Sequence, residues 1–360
     1  MHFEPIGYMH WYKTRPHARH SLCRSGVEPR TLDQVDLSWD DLQLSGVDYY
    51  GYPPLLEAIA GRYGVPAGTI VSTLGTSGAL FLICAALLSE GDRVVVEKPV
   101  YGSVLALPRA CGAEIARIER RYETGWQIDP EEFAAAVTPG TKMVLLTNLH
   151  NPTGARIPEA QLADFAGFCA ERGTWLVIDE IYREFPDDLN GTTSFGIADT
   201  VITCSSLCKV WGLGDLRCGW ILAPTELIPL LRAAVDHVFV EHAFVAERIA
   251  AALYPRLDAL RAGRREQTAR NRALVTDFIA GHEELEWVEP DDGVVAFPRL
   301  ADGLSPDTLA EHLAREYDTE LTAGSHFEAP QHLRIGYGGS TAELEIALGF
   351  VERALDDLQA

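Results

Sequence analysis

Ser206-Leu207-Cys208-Lys209 closes a strand-like run, Thr200-Val201-Ile202-Thr203-Cys204, and leads through Gly212 and Gly214 to Arg217 and Gly219. A hydroxyl thus stands three residues before a lysine and a guanidinium eight residues after it. The chain has only four lysines, Lys13, Lys98, Lys142 and Lys209, so one in an apolar, glycine-punctuated turn is a poor fit to surface decoration. A lysine whose pKa is lowered by burial is nucleophilic and forms a Schiff base with an aldehyde. The hydroxyl and the guanidinium are the donors a phosphate group calls for. Taken alone, the string also fits a surface lysine beside a helix start.

Three further segments carry polar groups at comparable places. Gly75-Thr76-Ser77-Gly78-Ala79-Leu80 lies between a short strand and an apolar helix. Small residues there leave backbone N–H groups free for an anion, although Thr76 or Ser77 could equally be an ordinary N-cap. In Asn148-Leu149-His150-Asn151-Pro152-Thr153-Gly154, Pro152 and Gly154 force a turn that holds Asn151 at a strand end. Asp179, after the apolar run Trp175-Leu176-Val177-Ile178 and before Glu180-Ile181-Tyr182, is partly buried and needs a cation or hydrogen-bond donors. A protonated pyridine nitrogen would satisfy it, and so would a helix amide.

Strand-like runs at 69–72, 93–97, 143–147, 175–179, 201–205 and 220–223 alternate with helix-like stretches such as 78–89, 158–172 and 225–239. That alternation predicts an α/β fold: a mostly parallel central sheet between helices, with ligands at the carboxyl ends of the strands. Asn148, Asn151, Asp179 and 205–209 all sit at such ends. After about residue 247 the pattern changes to a long arginine-rich helix followed by short strands and two helices, which reads as a smaller α+β domain. The expected division is an N-terminal segment at 1–44, folded with the small domain or over the site, a large domain at 45–246 and a small domain at 247–360.

Composition narrows the partners. With 360 residues, 47% of them hydrophobic, the chain can bury a large core, and no apolar run reaches membrane-spanning length. The first residues lack the apolar stretch of a signal peptide, so a cytoplasmic protein is expected. A formal net charge of -22 argues against nucleic acid or an anionic membrane as partner. Seven cysteines without paired metal-ligand spacing read as reduced, mostly buried thiols, and no metal is expected.

In this order and spacing, the NPTG string at 151–154, the DEIY string at 179–182 and the lysine motif with its glycines and Arg217 resemble the pyridoxal-phosphate-dependent aminotransferases of fold type I, class I/II. The resemblance implies roles position by position. Lys209 would hold the cofactor as a Schiff base and move the proton at the substrate α-carbon. Asp179 would pair with the pyridine nitrogen, and Tyr182 and Asn151 would hydrogen-bond the phenolic oxygen. Thr76, Ser77, Ser206 and Arg217 would hold the phosphate. Tyr101 would stack on the ring, and Arg334, in Leu333-Arg334-Ile335-Gly336, would grip the substrate carboxylate. The family completes its sites across a homodimer, with Tyr50 or Tyr49 reaching the neighbouring phosphate.

The start of the chain departs from the usual pattern. His17-Ala18-Arg19, ahead of Ser25-Gly26-Val27, resembles the branch that includes capreomycidine synthase and pyridoxal-phosphate-dependent arginine oxidases. In that branch an N-terminal segment closes over the substrate, which would make His17 a substrate contact; a histidine-bearing surface segment is the alternative. The resemblance implies an enzyme acting on an α-amino acid in natural-product biosynthesis, with transamination as the first expectation and β-elimination, cyclisation or oxygen-dependent oxidation as other outcomes on one scaffold. A cofactor-sensing transcription regulator is disfavoured by the acidic charge and the presence of Lys209.

Overall fold

The computed structural model describes residues 1–47 and 49–359. Its centre is a seven-stranded sheet of β1 (Ile70–Leu74), β2 (Arg93–Lys98), β3 (Glu114–Glu119), β4 (Thr141–Thr147), β5 (Trp175–Asp179), β6 (Val201–Ser206) and β7 (Cys218–Leu222), in the spatial order β1-β7-β6-β5-β4-β2-β3. All neighbours run parallel except β7, which is antiparallel to both β1 and β6. Alternate residues of each strand face opposite layers. Val94, Val96, Leu145 and Val177 pack beneath the helices Gly75–Leu87 and Ile228–Val238. Val95, Val144, Leu146 and Ile178 pack with Phe133, Leu162 and Phe165 from the helices on the other face. Both faces being covered explains why these strands read as continuous apolar runs.

Register sets the site. Thr147 lies beside Asp179 at the ends of β4 and β5, and Ser206 faces Gly219 where β6 meets β7. Asn148, Asp179, Ser206 and Lys209 therefore gather at one edge of the sheet, beyond the carboxyl ends of its parallel strands.

The expected elements shift in informative ways. The helix expected at 78–89 runs from Gly75 to Leu87, because the glycine-threonine-serine string is its first turn. The stretch 225–239 starts as a single 3-10 turn and becomes α-helical only at Ile228. The sequence reading missed β3, an edge strand in which charged residues interrupt the apolar pattern, and the helix Gly7–Thr14 (α1).

Beyond the helix Leu257–Ala280, a three-stranded antiparallel sheet joins Val295–Ala296, Leu333–Gly336 and Thr322–Ala323, flanked by the helices Pro306–Glu316 and Thr341–Gln359. The N-terminal segment is laid onto this unit. His20–Ser21 pairs in parallel with Thr319–Glu320, and Gly336 N–H donates to Leu22 O at 2.7 Å. Further along, Glu28 N–H donates to Gly338 O and Val27 N–H to Lys209 O, each at 2.9 Å. Residues 20–28 thus form a strap between the C-terminal sheet and the lysine turn. No helix among the described residues is long and apolar enough to cross a membrane.

Candidate active site

A cavity of about 620 Å³ opens at the strand ends. Its lining includes Thr76, Ser77, Tyr101, Asn151, Asp179, Tyr182, Ser206, Lys209 and Arg217, so most of the residues singled out in the sequence meet in one place.

One end of the cavity is a cradle of donors. The helix Gly75–Leu87 has Leu74 at its N-cap and no side-chain cap, so neither Thr76 nor Ser77 plays the ordinary capping part. Its first-turn amides and the positive end of its dipole are left for an anion. Thr76 Oγ1 donates to Ser206 Oγ at 3.1 Å, linking this helix to β6. Arg217, with φ +52°, donates to Gly214 O at 3.1 Å and to Leu74 O at 3.0 Å, which fixes the guanidinium beside the helix start. Two glycines make the approach feasible. A Cβ on Gly75 would come within 2.6 Å of the Arg217 guanidinium, and one on Gly219 within 2.7 Å of the Gly75 backbone. These donors suit a phosphate dianion.

Asp179 forms the floor. It is buried, accepts from Ile181 N–H at 3.0 Å, and makes no ion pair among the described residues. Burial pushes its carboxyl up to about 7, opposed by the Ile181 hydrogen bond and by the Lys209 charge and reinforced by Glu97 and Glu180. A carboxylate in this position is costly until a cation faces it from the cavity. Behind it lies a fully buried pair, Arg120 Nε to Glu97 Oε2 at 2.7 Å, with Glu97 Oε1 accepting from Thr147 N–H at 2.6 Å. That pair ties the end of β4 to its neighbour β2.

Lys209 Nζ donates to Ser25 Oγ at 2.8 Å, and Tyr182 O–H donates to Ser25 O at 2.8 Å. The lysine does not behave as the sequence suggested. Burial lowers its pKa, but the acids Tyr182, Cys208 and Tyr101 outweigh burial and hold the amine above its ordinary value. In the protein alone, nucleophilicity therefore does not come from a depressed pKa. Cys208 stands in the cavity wall and packs against Gly214, where a Cβ would approach its Sγ to 2.8 Å.

Arg334 is fully buried and is not itself in the cavity lining; it lies behind the lining residues Tyr8, Cys23 and Asn151. Its guanidinium donates to Asn151 Oδ1 at 3.2 Å, to Tyr8 Oη at 2.7 Å and to Cys23 O at 2.9 Å, while its Nε is buried without a partner. The bond to Oδ1 leaves the Asn151 amide N–H₂ free to donate. Tyr101 stands edge-on to Tyr8 at 6.0 Å between ring centroids, and its hydroxyl meets Met9 Sδ at 3.0 Å. Tyr8, Met9, Tyr12 and Lys13 of α1, with Ser21 to Val27 of the strap except Leu22, line the cavity. The sequence reading had not singled out Tyr8 or Ser25 as site residues. Their partners lie 326 and 184 residues away, and no local pattern marks them.

Two predicted contacts stand apart. The His17 side chain is 74% exposed, 3.9 Å from Glu320 and outside the cavity lining. His20 is buried but turned to Glu343 at 2.9 Å. Tyr50 is exposed and stacks under Arg232 at 4.7 Å, with Tyr49 more exposed still; neither reaches the cavity of its own chain.

Lys209 and the buried Asp179, an uncapped helix with a fixed arginine, and an asparagine–arginine fork lie together at the strand ends of a doubly covered, mostly parallel sheet. The chain belongs to the aminotransferase class I and II family, whose model matches residues 43–351. An arginine–pyruvate transaminase of Pseudomonas aeruginosa is 31% identical over 316 residues, 82% of this chain and 79% of that one. Capreomycidine synthase of Streptomyces vinaceus is 29% identical over 350 residues, 94% of this chain and 90% of that one. The solved structure of the PLP-dependent cyclase OrfR superposes with a TM-score of 0.90 at 30% identity, covering 100% of this chain and 99% of that one. A PLP-dependent aminotransferase of Streptococcus suis reaches a TM-score of 0.92 at 24% identity, covering 99% of each chain, and shows the fold. Members of this family use pyridoxal 5'-phosphate. The donor cradle, the uncompensated Asp179 and the single lysine between them fit that group.

Proposed function

We propose that this protein transfers the amino group of an α-amino acid to a 2-oxo acid, using pyridoxal 5'-phosphate held by Lys209. The observation that carries the reading is that Lys209 and the buried Asp179, which makes no ion pair among the described residues, line one cavity. Thr76, Ser77, Ser206, Arg217 and the first amides of the helix Gly75–Leu87 would bind the phosphate. Asp179 would meet the ring nitrogen and keep its proton in place, Tyr101 would cover the ring, and Asn151 and Tyr182 would flank the phenolic oxygen. When bound, the cofactor supplies the electron sink that makes the α-proton removable. Lys209, freed when substrate binds, takes that proton and returns it at the other end of the transfer. Arg334 would orient the substrate carboxylate through its fork, and so choose the bond to be broken.

A second copy of the chain is part of this reading. Trp39 is 89% exposed, and Leu44, Val47, Tyr49 and Val240 are also exposed. Tyr50 against Arg232 brings the segment that carries Trp39 and Tyr50 beside the middle of the helix Ile228–Val238. Covering that apolar surface in a homodimer would bring Tyr50 or Tyr49 toward the partner's phosphate cradle.

A cyclising reaction is the second reading, favoured by the full-length likeness to capreomycidine synthase and the cyclase OrfR; that likeness also supports a place in natural-product biosynthesis. The test is a single-turnover panel of amino acids, arginine first because of the named transaminase relative, run in air and under nitrogen with every product identified by mass spectrometry. Release of a 2-oxo acid with amination of pyruvate supports transamination. Ring closure or loss of a β-substituent supports the cyclase or a lyase, and oxygen uptake an oxidase; either would overturn the leading reading.

A further inference from the structure

The strap surrounds the lysine at three levels. Val27 N–H holds the Lys209 carbonyl at 2.9 Å. Gly26 lies so close to the lysine stem that an added Cβ would meet Cδ at 3.0 Å and Cα at 3.1 Å. Ser25 takes the head of the side chain, with Lys209 Nζ donating to Oγ at 2.8 Å. The serine is itself fixed, because Tyr182 O–H donates to its carbonyl at 2.8 Å. It is also backed from behind: a Cβ on Gly338 would strike Gly26 O at 2.3 Å, and one on Gly336 would strike Arg24 O. The hydroxyl is therefore carried on a backbone that two neighbouring elements prevent from drifting. Among the described residues, Ser25 Oγ is the only oxygen that accepts a hydrogen bond from the Lys209 amine.

We propose that Ser25 is a positioning residue for Lys209: its hydroxyl receives the lysine amine whenever that amine is not covalently engaged, and so fixes where the free amine stands over the cofactor site. The proposal rests on the reading of Lys209 as the reactive amine. A four-carbon stem with a free head has many rotamers, and a fixed acceptor removes most of them before the proton transfer. The cationic amine also loses less by burial when an oxygen accepts from it. The carbonyl bond from Tyr182 does not involve the side chain, so Ser25→Ala leaves the strap tethered while removing only the hydroxyl.

The test uses the full chain freed of cofactor and needs no turnover. Competitive acylation of the four lysines by acetic anhydride is followed against pH by mass spectrometry, in the wild type, Ser25→Ala and Ser25→Thr. With the acceptor gone, the Lys209 midpoint falls by about one pH unit, while Lys13, Lys98 and Lys142 do not move. Ser25→Thr keeps the hydroxyl and restores the wild-type midpoint. In the loaded protein, Ser25→Ala lowers kcat by about tenfold with KM little changed, since positioning acts after binding. An unmoved Lys209 midpoint in Ser25→Ala, or a Ser25→Thr variant as shifted as Ser25→Ala, overturns the proposal. A shifted midpoint in a chain that captures no cofactor would leave the Ser25 contact standing and remove the functional reading instead.

Discussion

The phosphate cradle and the N-terminal strap meet in the same cavity but are built in opposite ways. The cradle is local: Gly75 to Ser77, Ser206 and Arg217 each sit at the end of a strand of one sheet, and the β6–β7 register alone brings Ser206 to Gly219. Its donors would be in place if the rest of the site were absent. The strap is assembled at long range, from backbone bonds to Glu320, Gly338 and Lys209, from Ser25 Oγ on the Lys209 amine and from the Cys23 carbonyl on the Arg334 guanidinium. A site of this kind takes its cofactor chemistry from the sheet and the placing of its movable groups, the lysine and the arginine, from a segment that arrives from elsewhere. Changes in the cradle should therefore act on cofactor binding, and changes in the strap on what the bound cofactor is made to do.

The largest expected effect is from Lys209→Ala, which should abolish the visible band of the bound cofactor and turnover together. Retained turnover would end the lysine mechanism. Arg334→Ala should come next, lowering kcat/KM for the amino acid by about 10²- to 10³-fold, as for the loss of one partner of a buried charged pair. Cofactor retention should be unchanged, and steady-state kinetics beside a cofactor titration would show the separation.

Asp179→Asn separates stability from activity. The folded carboxyl sits at about 7, above its unfolded value near 4, so the folded cofactor-free chain holds the extra proton between those two pH values. The contribution of Asp179 to stability is fully present below about pH 4 and is lost as pH rises through 7. The cofactor-free Asn variant should thus be more stable than the wild type above pH 7, by at most about 4 kcal/mol, with the gap closing toward pH 4. Its turnover should fall sharply. A pH series of thermal unfolding would detect the crossover, and a wild type that gains stability relative to the variant at high pH would contradict it.

Ahead of the strap, in the first seventeen residues, the effects should be smaller. Tyr8→Phe removes the oxygen that accepts from Arg334 and should reduce kcat/KM about fivefold, the value of one hydrogen bond. His17→Ala should leave it within about twofold, because that side chain is exposed and faces away from the cavity. A larger loss at His17 than at Tyr8 would reverse the reading of which face of the segment serves the site.

What could be read in the sequence follows the same division. Asp179, Asn151, Ser206 and Lys209 are legible because each ends a buried apolar run, and a polar residue there is conspicuous. The helix of the cradle was legible apart from its start, where Gly75 to Ser77 look like a cap and are instead its first turn. Ser25 and Tyr8 carry no such mark: their meaning depends on partners brought together only by the strap and by α1. Arg334 was legible from its motif, but not the occupation of its fork by Tyr8, Cys23 and Asn151. The raised Lys209 amine was likewise hidden, because it depends on Tyr182, Cys208 and Tyr101 together.

The central claim is that Lys209 holds the cofactor, and the scarcity of lysine makes it directly testable. Borohydride reduction of the cofactor-loaded protein, followed by peptide mass spectrometry, asks which of the four lysines has become attached to the cofactor. Attachment at Lys209 alone is the predicted result. A label on Lys13, Lys98 or Lys142 with Lys209 unmodified, or none on any of the four, would contradict it.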